Sequence, residues 1–130
     1  MAVTHSTAAR NAATDAVTAL ISTSGKLVFR ISPSSVASPG TAVATLSLST
    51  TAFAAAVTGT ATANAITSDT NATGNASPVA FATLQTSGGT IVIHCAVAAS
   101  ASDINMTNGL TVAAGDTVSC SSLTYTALSA

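Results

Sequence analysis

Charge is what this chain most lacks. Its 130 residues hold three Lys or Arg, four Asp and no Glu, so charged residues make up 5%, against roughly 25% in an average globular chain. Arg10, Lys26 and Arg30 are too few and too scattered to neutralise a row of phosphates, so no nucleic-acid partner is expected. Aromatics are also scarce: three Phe, one Tyr and no Trp, a poor stock for the flat platforms that sugars stack on. No stretch approaches the roughly 18 to 20 apolar residues that cross a bilayer, so no membrane partner is expected. The opening "MAVTHSTAARNAATDAV" has neither the basic start nor the continuous apolar segment of a secretion signal. The expected compartment is therefore a reducing cytosol, where Cys95 and Cys120 stay free thiols. The glycosylation sequons at Asn71, Asn75 and Asn105 have no meaning without secretion.

What is present is Ala, Thr, Ser and Val, with 48% hydrophobic residues. That balance is the reverse of a disordered chain's, and at this length a single domain, residues 1–130, can bury roughly two-thirds of its unfolded surface. With so few ions the exterior must be largely Ser, Thr and Ala. Such a surface suits close packing against neighbours.

Along the chain, Thr7 to Thr23 sets Ala8, Ala9, Ala12, Ala13, Ala16, Val17, Leu20 and Ile21 at helical spacing, with Ser6 as N-cap and Gly25 just past the end. The arm and helix together take up about residues 1–24, and the buried stripe is expected to be mainly alanine. After Gly25 the period becomes two. "KLVFRIS" predicts a strand with Leu27, Phe29 and Ile31 inward and a charged outer face of Lys26, Val28 and Arg30. "TAVATLSLS" predicts the next, with Ala44, Leu46 and Leu48 inward. Residues from Phe53 to Thr67 read equally as a helical turn or a weak strand, and "SDTNATGNASP" reads as loop. "VAFATLQT" and "TIVIHCAV" flank "SGG" as a hairpin. In the final third, short strands alternate with turns at "TNG" and "AAGD", and a bulge near Ser121 and Ser122 would bring Val118, Cys120, Leu123 and Tyr125 inward together. The fold expected is mainly β: an N-terminal α-helix followed by a six- to seven-stranded antiparallel β-sandwich.

Few residues offer chemistry. His94 and Cys95 are adjacent, but neighbours on a strand point to opposite faces. Ile91, Ile93, Cys95 and Val97 are expected to face the core, and Val92, His94 and Ala96 to face outward. Zinc ligation wants donors at short, definite spacings, which His5, His94, Cys95 and Cys120 do not show. Calcium wants a clustered acidic loop, whereas Asp69, Asp103 and Asp116 stand in separate turns. No metal, cofactor or catalytic constellation is expected, and the chain reads as a non-enzyme.

"MAVTHSTAARNAATDAV", "TATANAITSDTNATG", "IHCAVAASASDINM" and "GDTVSCSSLTYTAL" resemble a family of small proteins encoded beside the major capsid protein of tailed bacteriophages, the head decoration or cement proteins. The likeness extends from residue 1 to about 128. It implies a β-rich virion protein, made in the host cytoplasm, that docks on the outside of the head and bridges major capsid subunits in many copies, with self-association on the lattice. The contact elements expected are the arm (Ala2, Val3, Thr4, His5), the loops Pro33–Gly40 (Val36) and Asp69–Pro78 (Asp69, Asn71), and any exposed strand edge. The alternative is a head fibre that binds a host glycan.

Overall fold

In a computed structural model of the chain, which describes residues 3–130, helix α1 spans Thr7–Ala19. Ser6 caps it by accepting from the Ala9 N–H at 3.2 Å. The helix is shorter than its periodicity predicts. Leu20, Ile21 and Ser22 donate instead to the carbonyls three residues back, and Ser22 turns to φ 61°, so the stop expected of Gly25 is made by a serine.

The face α1 buries is also different from the one expected. Ala8, Ala9, Ala12, Ala16 and Leu20 are exposed, while Thr14, Thr18 and Ile21 are buried. The packed face is the polar row Arg10, Asn11, Thr14 and Asp15, because those side chains reach main-chain groups elsewhere. Asn11 Oδ1 accepts from Gly59 N, Thr14 Oγ1 donates to Gly59 O and accepts from Ala127 N, and Asp15 Oδ1 accepts from Ala56 N. Segments without regular structure leave such groups unpaired, and a buried unpaired amide or carbonyl is costly.

The strands are β1 (Lys26–Ile31), β2 (Ala42–Leu48), β3 (Thr60–Thr62), β4 (Ile66–Thr67), β5 (Val79–Gln85), β6 (Ile91–Ala98), β7 (Ile104–Asn105) and β8 (Thr124–Thr126). Six of them form one sheet in the order β4-β2-β1-β5-β6-β7, and β3 pairs with β8 separately. All pairs are antiparallel except β6–β7, which is parallel. The chain is thus mainly β with one N-terminal helix, but the antiparallel sandwich is not what forms. The layer facing the six-stranded sheet is made of Ile21, the short β3–β8 ribbon and loop segments that supply Ala52, Phe53, Ala72, Val112 and Val118 to the core. Those loops turn at Gly59, Gly74, Gly109 and Gly115, all at positive φ, which breaks the extended runs a second sheet requires. Phe53–Ala63 and Val57–Thr60 bridges show that the segment left open between turn and strand is a weak strand.

The core row crosses the sheet as Leu46, Leu27, Leu84 and Ile93 in register. Of the sheet's three register shifts, which include one between Arg30 and Ile31 against β5, two change which residues face the core. One admits both Val43 and Ala44 to the core, at 0% and 1% exposure. The other falls at Val92, since Leu84 pairs with Ile93 and Gln85 with Ile91. Val92 therefore packs on the core beside Ile93 and Cys95, and Ile91 takes the outward place that simple alternation assigned to Val92. At the C-terminal end Val118, Cys120, Leu123 and Tyr125 all reach the core, across an irregular break at residues 121–123 rather than along a bulged strand.

Candidate interaction surface

The three cations and four carboxylates, seven charged side chains in all, are each hydrogen-bonded to a neutral group of the same chain. Arg10 donates to the carbonyls of Leu128 and Thr58. Lys26 Nζ donates to Ser47 Oγ. Asp15 accepts from Ala56 N, Asp69 from Thr45 N and Asn71 N, Asp103 from Ala96 N, and Asp116 from Ala113 N. The carboxylates expected to be isolated turn residues are main-chain caps, a use that suits short acidic side chains.

Arg30 departs most from expectation. Its strand parity predicted a solvated charge, yet it is 9% exposed. β1 lies in the middle of the sheet, and the side chain reaches along β5: Nε donates to Thr83 Oγ1 at 3.1 Å and Nη2 to Gln85 Oε1 at 2.9 Å, while Nη1 donates to Gly40 O at 2.8 Å. Burial holds this guanidinium below its usual pKa. Val28, predicted outward with it, is 3% exposed. The charged outer face is thus folded down onto the sheet.

His94 lies on this same outer face. Ser34 Oγ gives its proton to Pro39 O at 2.6 Å, so the 2.9 Å contact between Ser34 Oγ and His94 Nε2 has the imidazole as donor. The ring also lies against Phe81, with centroids 5.1 Å apart at 34°. Ser34 and Gly40 therefore pin the 32–40 loop to the sheet at both ends, and Val36 stands out from it at 62% exposure.

The predicted contact residues are not gathered in one place. Val3, Thr4 and His5 are exposed, and His5 Nδ1 bonds the Ala130 carbonyl at 2.7 Å, clipping the arm to the C-terminal segment. Ala2 lies outside the described residues. Val36 belongs to the outer face of the sheet. Asp69 is half-buried and committed to Thr45 and Asn71, with its backbone bridged to Val118, whereas Asn71 is exposed. Hydrogen bonding thus spreads the arm and the two loops over three parts of the fold.

A cleft of about 640 Å³ opens beside the 103–124 segment, lined by Phe29, Asp103, Asn105, Asn108, Asp116 and Cys120 among others. His94 is not among its lining residues. Burial, reinforced by the negative charge of Asp103, pushes the Cys95 thiol up to about 11, and burial raises Cys120 as well. Both thiols are therefore protonated at neutral pH, and thiols in that state are poor nucleophiles. Among the described residues no three His, Cys, Asp or Glu side chains gather to hold a metal ion, and no helix is long and apolar enough to cross a membrane.

The chain matches no protein-family profile, no curated protein and no solved structure. Sequence reading missed the two features that shape this surface. Arg30 could be found only from strand order, which the linear pattern does not carry. The exposed alanine face of α1 could have been found from Asn11, Thr14, Asp15 and Thr18, which recur at the same three-and-four spacing as the alanines.

Proposed function

We propose that this chain is a non-enzymatic structural protein of a tailed-phage head, bound to the outside of the shell where it joins neighbouring major capsid subunits and other copies of itself. The reading starts from the family resemblance of its sequence segments. The observation that carries it is the internal use of all seven charged side chains, of which only Asp103 and Asp116 stand exposed on an exterior otherwise made largely of Ser, Thr and Ala. A partner can cover such a surface without stripping water from free ions. The exterior also offers separate apolar points, Val3, Leu20, Val36 and Val57, at 76%, 64%, 62% and 69% exposure. Each is a modest contact. Repetition over a symmetric lattice multiplies modest contacts into firm attachment, which is what resisting internal DNA pressure requires.

The test is retention on purified particles. At about 1 M salt the Debye length falls to about 3 Å, so contacts between exposed ions are lost. Quantified gel bands are expected to show a fixed ratio of this chain to capsid protein that survives such a wash. A ratio that collapses in salt contradicts the reading.

The cleft with Asn105 and Asn108 in its lining favours a second reading, a head fibre that binds a host glycan. Tyr125, however, packs toward the core and so offers no stacking platform. Saturable binding on a glycan array, with few copies per particle, would select this second reading over the first.

A further inference from the structure

The two charged side chains that stand exposed, Asp103 and Asp116, both line the same cleft of about 640 Å³. Every other residue of its lining is neutral. The three cations lie elsewhere: Lys26 and Arg30 are bonded on the opposite, outer face of the sheet, and Arg10 is tied to the Leu128 and Thr58 carbonyls. Each of the two carboxylates accepts from one main-chain amide through Oδ2, Asp103 from Ala96 N and Asp116 from Ala113 N, both at 2.9 Å. Their Oδ1 atoms have no hydrogen-bond partner among the described residues. The cleft is therefore negative, and no cation of the chain balances it.

The cleft also borders unpaired backbone. Strand β7, part of its lining, is the last strand of the six-stranded sheet. Met106 N donates to Ala98 O on β6, so alternation turns the N–H and C=O of the preceding residue, Asn105, away from β6 and onto the open edge. No main-chain group of the chain pairs with them. Within residues 117–122, which also line the cleft, only Val118 makes main-chain bonds, both with Asp69. Unpaired edges of this kind are templates for an added strand. The floor is apolar. Phe29 reaches it from the core row of β1, where its in-register neighbours Ala44 and Ala82 have short side chains that leave room beside the ring.

We infer that this cleft receives an extended segment of a partner protein, laid along the β7 edge, with a Lys or Arg matched to the exposed carboxylates and an apolar side chain over Phe29. This deepens the docking reading above and, in its particle arm, rests on it. A metal ion does not fit, since no three ligands gather among the described residues. A sugar accounts for neither the charge nor the strand edge, and the one aromatic ring in the lining is the buried Phe29. In a cleft of this kind the charges select and orient the segment. Main-chain bonds and the apolar contact hold it, and salt does not screen those, so the segment stays seated in a salt wash.

Two arms test it. In the first, the free chain is titrated with the end-capped peptide Thr-Val-Lys-Val-Thr while its amide resonances are followed by NMR, with Thr-Val-Gln-Val-Thr, spermidine and chitotriose as comparisons. Saturable shifts at Asn105, Thr107 and residues 117–122 are expected. The Gln peptide on wild type, and the Lys peptide on Asp103→Asn or Asp116→Asn, should each bind about tenfold more weakly. Asn keeps an oxygen for the amide that each Asp caps, so the variants retain the fold, and the two peptides on wild type decide if they do not. No saturation, equal affinity for the two peptides, unchanged affinity in both variants, spermidine binding as tightly as the Lys peptide, or a response to chitotriose alone overturns the inference. In the second arm, wild type and the Asp103→Asn/Asp116→Asn double variant are added to heads stripped of this chain. Lost occupancy in the variant supports the cleft, and equal occupancy refutes it as the docking site while leaving head docking intact. Binding of the Lys peptide by a wild-type chain that binds no head refutes the docking reading and leaves the cleft standing.

Discussion

Thr14 Oγ1 donates to the Gly59 carbonyl at 2.6 Å, both residues being buried, and the same oxygen accepts from Ala127 N at 3.1 Å. One hydroxyl thus joins the helix, the turn before β3 and the C-terminal segment. Thr14→Val keeps the shape and removes both bonds, leaving the buried Gly59 carbonyl and the part-buried Ala127 N–H unpaired. It should lower stability by about 2 kcal/mol or more, while Thr14→Ser, which keeps both, should cost about 1 kcal/mol. Urea midpoints at unchanged m-value measure the difference, and equal losses would show that the hydroxyl is not the tie.

Gly74 and Gly115 separate backbone strain from crowding. Both have positive φ, 73° and 87°, but a Cβ on Gly74 would run into the backbone of Ala113 and Ala114, whereas one on Gly115 meets nothing within 4 Å. Gly115→Ala should cost about 1 kcal/mol, the strain of the left-handed region alone. Gly74→Ala should cost clearly more, because the 69–78 loop must also move away from the 113–116 turn. Thermal melts of the two variants make the comparison.

Cys95 gives the stability a defined pH signature. Burial first, then Asp103, raises its thiol from 9.0 to about 11, against a smaller opposing effect of its bond to the Ala82 carbonyl. Between those values the unfolded chain's thiol ionises while the folded one stays protonated. The unfolded state then binds fewer protons, so stability falls as pH rises through that window and is unaffected by this group below it. Wild type should therefore lose more stability between pH 9.0 and about 11 than Cys95→Ala. Native Cys95 should also react with iodoacetamide far more slowly at neutral pH than it does in urea. Equal pH slopes in the two proteins would contradict the assignment.

Asp69 tests whether the turn carboxylates are caps or cation ligands. Its two oxygens serve Thr45 N and Asn71 N at 2.8 and 3.0 Å, so Asp69→Ala should cost about 1 to 2 kcal/mol. Calcium or EDTA should leave the melting temperature of wild type unchanged. A calcium-dependent rise that Asp69→Ala abolishes would assign the loop to metal binding.

These results show how far the sequence could be read. The cap at Ser6, the β5–β6 hairpin and the inward row of Ala44, Leu46 and Leu48 were legible, because each rests on residues whose physical preference is local. The helix orientation was not. Alanine and threonine differ little in size, and what decides between them is whether a hydroxyl finds a main-chain partner, as Thr14 does with Gly59 and Ala127. On β6, His94 and Ala96 face outward as expected, and only Ile91 and Val92 exchange places, since one extra residue at Val92 reverses the alternation before it. That the second sheet is only the two-stranded β3–β8 ribbon reflects glycine turns that interrupt otherwise strand-like composition. Of the predicted contact residues, Val36 could be read as a loop tip, but the Arg30 and His94 attachments that hold the loop in place depend on pairings far apart in sequence.

The most direct measurement is a cryo-microscopy map of the phage particle that we propose carries this chain. Our account predicts density for it at every equivalent position on the outside of the shell. Absence of the chain from the shell, or its confinement to a single vertex, would contradict the account.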